Sequence, residues 1–548
     1  MDRRTFLLSA GATTLSALTG CGGSSAASGG VTVVDATEAT VLPAPAPTPV
    51  GGDRLPVSYA NYAVDDPGPG PGSPLMFSRV ANDGGVVVPT MKNPALPSYR
   101  RAHCANPSIV VFAGTVFLYF RADPGTDKQS IGLWTQPVDG FDPLAAARWT
   151  DHGVVIGIPA RSAYDGTWDP CAVVFRGKVR LYWNNQRNSG AIRVFTAESA
   201  NGINFGPAID TGYQTSVVGM FAFDETLYLF SGDLAKSNDG VSFVLVKQNV
   251  LTNSGEQDSP DGAATITRRL FYQSPYLYLT YGGTPYGYPN NFPDWPEGIC
   301  IARALYPFTD FEKHPANPIL MRGPTGSFDG AAMWSGSYLR LGGVSYLFYE
   351  AIGGSDTRTR NNPYQGFGST AFSQIGVAIA PLDISLTNWS PDANDLMPGT
   401  YTLQNVHSGK YLGASTTDTT AVVAQYTDPQ RWVVRRATAG YYQFSLQATA
   451  NEGAQLLDNH DARSDAGAPL GLYPSPHQQP NDFPYQTQEY KLAPQVHNAL
   501  NTGIYEILCR NNGMNVAVAT PNLAEEAKAV FMPRNGEDSQ KWRFAKVA

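Results

Sequence analysis

Between residues 100 and 390 the apolar positions fall in short alternating runs separated by turn residues, and one pattern recurs. "NPSIVVFAGTVFLYF" runs from Asn106, "DPCAVVFRGKVRLYW" from Asp169, "TSVVGMFAFDETLYLF" from Thr215, "DGAATITRRLFYQSPYLYLTY" from Asp261 and "DGAAMWSGSYLRLGGVSYLFY" from Asp329. Each copy starts at a small or polar residue, continues as an apolar strand, turns, and returns as an aromatic-rich strand. Alternation with a period of two is a half-buried strand, and the Asn-Gly and Asp-Gly pairs between copies ("SANGINF", "SNDGVSF") are hairpin turns. The copies start 63, 46, 46 and 68 residues apart, a spacing that marks a repeat architecture whose units need neighbours to bury their faces. With roughly four strands per copy, five copies predict an all-β five-bladed β-propeller over residues 96–396.

After residue 399 the pattern becomes threefold. Units start near Tyr401, Tyr442 and Tyr505 and close on Gln430-Arg431-Trp432, Gln488-Glu489-Tyr490 and Gln540-Lys541-Trp542. Three repeats with a Gln-x-aromatic close resemble the ricin-type β-trefoil lectin, which implies a C-terminal β-trefoil over residues 399–548. In that family a sugar is held by an Asp early in a repeat and a stacking aromatic further on. The second repeat offers Asp458 and Tyr473, whereas the other two hold Gly413 and Ala517 at the first position, so one sugar subsite at most is expected.

The first 21 residues, "MDRRTFLLSAGATTLSALTGC", carry Arg3-Arg4 ahead of an apolar stretch too short and too diluted by Ser, Thr and Gly to span a membrane. They resemble a twin-arginine export signal. Leu18-Thr19-Gly20-Cys21 resembles a lipobox, which implies lipidation of Cys21; a plain cleaved signal is the alternative. Residues 22–95, rich in Gly, Ser, Pro and Ala, are expected to be a flexible tether and N-terminal extension. The expected location is periplasmic or cell-surface, with membrane contact only through a lipid anchor.

Composition narrows the partners. Charged residues are 15% of the chain, with 55 Gly, 42 Pro, 28 Tyr and 25 Phe, as suits short strands and tight turns. A net charge of −8 argues against nucleic acid and anionic membrane surfaces. After Cys21 four cysteines remain, Cys104, Cys171, Cys300 and Cys509. Cys104 and Cys171 both lie near a strand start, so either a disulfide or buried free thiols fit, and no Cys/His cluster suggests zinc.

Four polar residues, Asn106, Asp169, Asp261 and Asp329, read as strand starts in one register, with Thr215 in the remaining copy. In a propeller they converge on the hub, although a single Asp-Pro or Asp-Gly is by itself turn chemistry. "NPSIV", "GTWDP" and "ARALYPFTDFEKHPANPIL" resemble segments of glycoside hydrolase family 43 and its fructan-acting relatives over about residues 100–390. The resemblance implies a general base in blade one, a pKa-tuning Asp in blade three and a general-acid Glu in blade four. Carried across, these positions fall on Asn106, near Thr215, and at or near Asp261, so the family's usual set is incomplete.

Glycoside hydrolysis needs two carboxyl groups about the scissile bond, one of them held protonated. The expectation is a pair from Asp169, Asp261 and Asp329, with Asp261 as acid, Asp169 as base and the third tuning them. Glu256, Asp258 and Glu350 are further acids. Trp168 and Trp334 are candidate stacking faces and His103, Arg121 and Asn106 candidate hydroxyl contacts, each weighed against core packing. No cofactor is expected; Ca²⁺ on the axis is compatible with the oxygen supply, but no loop spells out its ligands. Two readings follow. One is a monomeric exported glycoside hydrolase acting on an arabinan-, xylan- or galactan-type polysaccharide that the trefoil holds. The other is a non-catalytic carbohydrate-binding surface lipoprotein on a degenerate propeller.

Overall fold

The structure is a computed structural model. It describes residues 77–79, 86–88, 98–100, 103–124, 129–157, 166–186, 190–216, 218–256, 259–286, 296–323, 327–352, 373–380, 389, 396–414, 424–437, 440–447, 455–459, 463, 465–474, 487–497, 500–519 and 524–547. Cys21, Asp258 and the expected signal lie outside them. Among the described residues no helix is long and apolar enough to cross a membrane.

Five antiparallel sheets follow one another along the chain. Blade one is His103–Phe112, Thr115–Asp123, Ser130–Pro137 and Thr150–Ile156. Blade two is Trp168–Phe175, Lys178–Gln186, Ile192–Ser199 and Ile209–Gln214. Blade three is Gly219–Phe223, Thr226–Phe230, Leu234–Ser237 and Val244–Lys247. Blade four is Ala264–Gln273, Tyr276–Thr284 and Gly298–Ala304, edged by Glu312–Lys313 and Leu320–Met321. Blade five is Ala332–Leu341, Val344–Ile352 and Ser373–Ala380.

The outer edge of blade five comes from the far end of the sequence. Ser78–Arg79 and Val86–Val88 both pair with Ser373–Ala380. Two short pieces of the N-terminal extension are therefore part of the propeller. Without these two segments the edge of blade five would expose unpaired backbone groups, and Val87, Val88 and Phe77 also bring apolar side chains that are buried.

Five apolar clusters join successive blades. Leu339, Phe348 and Val377 of blade five meet Val116, Leu118 and Phe120 of blade one. Tyr119 and Leu133 meet Leu181 and Trp183. Val173 and Tyr182 meet Met220 and Leu229. Phe230 and Leu234 meet Leu279 and Tyr281, and Tyr278 and Ile301 meet Met333 and Tyr349. The contact of blade five with blade one closes the ring. Each fully buried aromatic or Leu contributes on the order of 2–3 kcal/mol, which a lone hairpin has no means to bury.

Next to the hub a polar relay supplements these clusters. Ser337 Oγ accepts the Ile109 N–H at 3.0 Å, Ser108 Oγ the Ala172 N–H at 2.8 Å, and Cys171 Sγ the Met220 N–H at 3.2 Å. Each donor belongs to the inner strand of the next blade. The equivalent residue of blade three is Gly219, where a Cβ would come within 3.1 Å of Leu270 Cγ and 3.3 Å of the Arg268 carbonyl oxygen. The four cysteines after Cys21 are buried and outside any disulfide among the described residues.

The C-terminal domain is a β-trefoil. Trp432, Tyr490 and Trp542 of the three Gln-x-aromatic closes are fully buried in one core. Two indoles donate to the same place in their own repeats, Trp432 Nε1 to Leu412 O and Trp542 Nε1 to Val516 O, both at 2.8 Å. The two domains dock through a buried charged contact. Arg510 of the trefoil donates to both oxygens of Glu297 in the propeller, at 2.7 and 2.5 Å, and also pairs with Glu489. Arg322 donates to Asn511 O at 3.2 Å, Lys491 to Asn317 O at 2.6 Å, and Met321 packs with Tyr441, Ala493 and Leu508.

Candidate active site

Four of the five inner strands carry the same irregularity. The pairing register shifts between Ala105 and Ser108, between Trp168 and Cys171, between Ile266 and Arg269, and between Trp334 and Ser337. The first bulged residue is Asn106, Asp169, Thr267 or Ser335. Asn106, Asp169 and Thr267 have φ of +48°, +52° and +45°, a left-handed conformation that costs a residue with a Cβ free energy and re-aims its side chain. These bulges form the shared register at the hub.

That register corrects the expected one. Asn106 and Asp169 belong to it, but Asp261 and Asp329 lie six residues before Thr267 and Ser335. The two aspartates are equivalent to each other and are held alike. Asp261 accepts from Ser259 Oγ at 2.6 Å and Tyr281 OH at 3.0 Å, and pairs with Lys313 at 2.5 Å. Asp329 accepts from Ser327 Oγ at 2.7 Å and Tyr349 OH at 2.9 Å. A Ser-x-Asp-Gly turn stapled to a Tyr of the adjacent strand is turn architecture. Thr215 lies two residues before the blade-three equivalent, residue 217, which is outside the described residues. Glu256 is exposed in the loop before blade four.

The acid that joins Asp169 is Glu350. It lies on the second strand of blade five, opposite Trp334, and its Oε2 accepts the Asn106 N–H at 2.9 Å. Ser373 gives it a second hydrogen bond, and His103 Nδ1 accepts the Ser373 N–H at 3.1 Å, which leaves the His103 proton on Nε2. Asp169 and Glu350 are only 8% and 7% exposed. Burial pushes both carboxyls above their ordinary range. Arg121 pulls each back, Arg269 also pulls on Asp169, and the charge of Asp169 raises Glu350 further.

Among the described residues the Asp169 carboxylate has no hydrogen-bond partner, and Arg121 Nε is buried without one. The structure thus brings Asp169, Glu350, Arg121, Asn106 and His103 to the hub. Trp168 directly precedes Asp169 and donates its Nε1 to Gln129 Oε1 at 2.6 Å. Each acid therefore has an indole beside it in the sheet.

An axial Ca²⁺, which the oxygen supply alone would allow, does not fit the hub. The carbonyls of Asn106, Pro107, Pro170 and Val218, from blades one, two and three, all accept from the guanidinium of Arg269 at 3.2–3.4 Å. That fixed cation occupies the centre. Among the described residues no group of three or more His, Cys, Asp or Glu is arranged to hold a metal. Sequence reading passed over Arg269, which sits unremarked in "TITRRLF".

In the trefoil, Asp458 and Tyr473 lie on one hairpin. Asp458 faces Gly471 and Tyr473 faces Leu456, so the two are diagonal neighbours on the same face. Asp458 Oδ2 accepts from Gln488 Nε2 at 3.2 Å, while Tyr473 is exposed.

The family described as "Ricin-type beta-trefoil lectin domain-like" matches residues 387–473. No curated protein matches the chain. Among solved structures, an exo-β-1,3-galactanase from Clostridium thermocellum is 15% identical, with 81% of this chain and 96% of that one covered and a TM-score of 0.37. A putative glycoside hydrolase from Parabacteroides distasonis is 13% identical over 60% and 99%, with a TM-score of 0.41. The designed three-fold symmetric protein ThreeFoil is 25% identical over 27% and 99%, with a TM-score of 0.23. The five-bladed propeller and the β-trefoil read in the sequence are borne out by the sheets themselves, and the family match falls at the trefoil end of the chain.

Proposed function

We propose that the protein is a glycoside hydrolase in which Asp169 and Glu350 are the working carboxyl pair and the trefoil holds a polysaccharide of the arabinan, xylan or galactan type. One observation carries this reading. Two buried carboxyls from non-adjacent blades meet at the hub with Arg121 acting on both, and one of them, Asp169, has no hydrogen-bond partner among the described residues. The two carboxyls titrate as a coupled pair, and burial together with the charge of Asp169 on Glu350 favours a proton held on one of them. The protonated member delivers that proton to the leaving glycosidic oxygen, and its ionised partner assists attack at the anomeric carbon. Arg121 balances the remaining charge and orients sugar hydroxyls. Trp168 and Trp334 offer apolar ring faces.

Export, lipidation at Cys21 and a monomeric state belong to the same proposal and rest on the sequence. So does the choice among the three polysaccharide types. The test is reducing-end release from a polysaccharide panel by the wild type, Asp169→Asn and Glu350→Gln. Release by the wild type that both variants lose supports the reading. Asn106, at the position where the family places its base, favours a second reading: a carbohydrate-binding surface lipoprotein without catalysis. Binding without release supports that one.

A further inference from the structure

We propose that Arg269 is a positioning residue for this carboxyl pair, a fixed cation that locks the two left-handed bulges of blades one and two. The inference rests on the reading of Asp169 and Glu350 as the acting pair.

All five N–H donors of the Arg269 guanidinium end on carbonyl oxygens. Nε reaches Pro107 at 3.2 Å, Nη1 reaches Val218 and Arg268 at 3.2 and 3.3 Å, and Nη2 reaches Asn106 and Pro170 at 3.4 and 3.2 Å. The residue is 3% exposed. Among the described residues its direct hydrogen-bond partners are carbonyl dipoles, and its charge acts on Asp169 across the hub.

Two of those carbonyls belong to the bulges. Asn106 O is the carbonyl of one left-handed residue, and Pro170 O directly follows the other, Asp169. The Asn106 bulge presents the N–H that anchors Glu350, and the Asp169 bulge presents the second acid. One side chain from blade four therefore fixes the backbone that aims both carboxyls. A planar fork with five donors can span three blades. Lysine, a point charge with three donors, lacks that reach.

The charged groups acting on Asp169 are Arg121 from blade one, Arg269 from blade four and Glu350 from blade five; the Cys171 thiol lies on its own strand, and burial raises it. Arg269 lowers the Asp169 carboxyl, so removing its charge moves Asp169 titration upward.

The experiment compares Arg269→Gln and Arg269→Lys with the wild type in the full chain. Asp169 ionisation is read by carboxyl ¹³C NMR titration, assigned with Asp169→Asn, alongside the pH profile of polysaccharide hydrolysis. In folded Arg269→Gln the Asp169 midpoint is expected to rise by about one pH unit or more, and the limb of the rate profile with it. In Arg269→Lys the midpoint stays near that of the wild type while kcat falls at least tenfold, because charge is kept and span is lost. An unmoved midpoint in folded Arg269→Gln overturns the proposal. Should that variant not fold, Arg269→Lys with wild-type kcat and profile overturns it. Lack of hydrolysis by the wild type sinks the hydrolase reading, and the NMR titration still decides the role of Arg269.

Discussion

The main chain of Asn106, not its side chain, donates to Glu350: the N–H meets Oε2 at 2.9 Å across the junction of blades one and five. A left-handed φ turns that N–H toward the hub. The position to which the sequence resemblance assigned a base thus serves as an anchor for an acid from the neighbouring blade. Asp169→Asn and Glu350→Gln are each expected to lower hydrolysis by about 10²–10⁴-fold. The double variant should be little worse than either single one, because the two act as a unit. Asp261→Asn and Asp329→Asn should instead lower unfolding free energy by about 1–3 kcal/mol through disturbed buried hydrogen bonds, with rates within tenfold of the wild type. Kinetics and thermal melts on the four single variants separate the two classes.

The raised carboxyls have a cost in stability. Asp169 and Glu350 titrate above their ordinary values of 3.8 and 4.5 in the folded protein. For an acid shifted upward, the associated stability is fully present below the unfolded pKa and is lost as pH rises through the folded one. At pH 7 Asp169→Asn and Glu350→Gln should therefore melt higher than the wild type, and the gain should vanish below about pH 4. Arg121→Met should do the opposite at pH 7, since it removes the cation that lowers both acids. Melting temperature against pH is the measurement, and a wild type more stable than both carboxamide variants at pH 7 refutes the argument.

The fold was more legible than the hub. Trp432, Tyr490 and Trp542 announce the trefoil because the Gln-x-aromatic close has one packing role in all three repeats. The propeller shows in its repeated hairpins because each blade must bury two faces. The hub register does not show. Asp261-Gly262 and Asp329-Gly330 look like the starts of their copies, yet the backbone bulge comes six residues later, at Thr267 and Ser335, with no proline to mark it. Asn106-Pro107 and Asp169-Pro170 do carry that proline. Glu350 and Arg269 gain meaning from residues of other blades, up to 244 positions away for the Glu350–Asn106 contact, a relation that local pattern does not encode. Nor did the apolar run Val86–Val88 signal that it edges blade five.

The contact between domains is expected to make them unfold together. Arg510 lies between Glu297 of the propeller and Glu489 of its own domain, over the Tyr441 ring at 4.3 Å. Arg510→Met leaves two buried carboxylates without their main partner. Removal of one partner from such a network costs about 3–5 kcal/mol. Calorimetry should show the single transition of the wild type split into two. A variant that still melts in one transition at the wild-type temperature contradicts this.

The trefoil should hold polymer without touching the chemistry. Tyr473 is exposed on the same hairpin face as Asp458, and Gln488 steadies the Asp458 carboxylate from behind. An exposed ring beside a fixed acceptor suits a sugar that stacks while one hydroxyl donates. Loss of a stacking ring costs roughly 1 kcal/mol, about fivefold in affinity. Tyr473→Ala and Asp458→Asn should therefore weaken retention in affinity electrophoresis on the cognate polysaccharide by about that factor. Hydrolysis of a short chromogenic glycoside, which reaches only the hub, should stay as in the wild type. Equal losses on long and short substrates would show that the hairpin acts on the fold of the propeller and not as a separate sugar subsite.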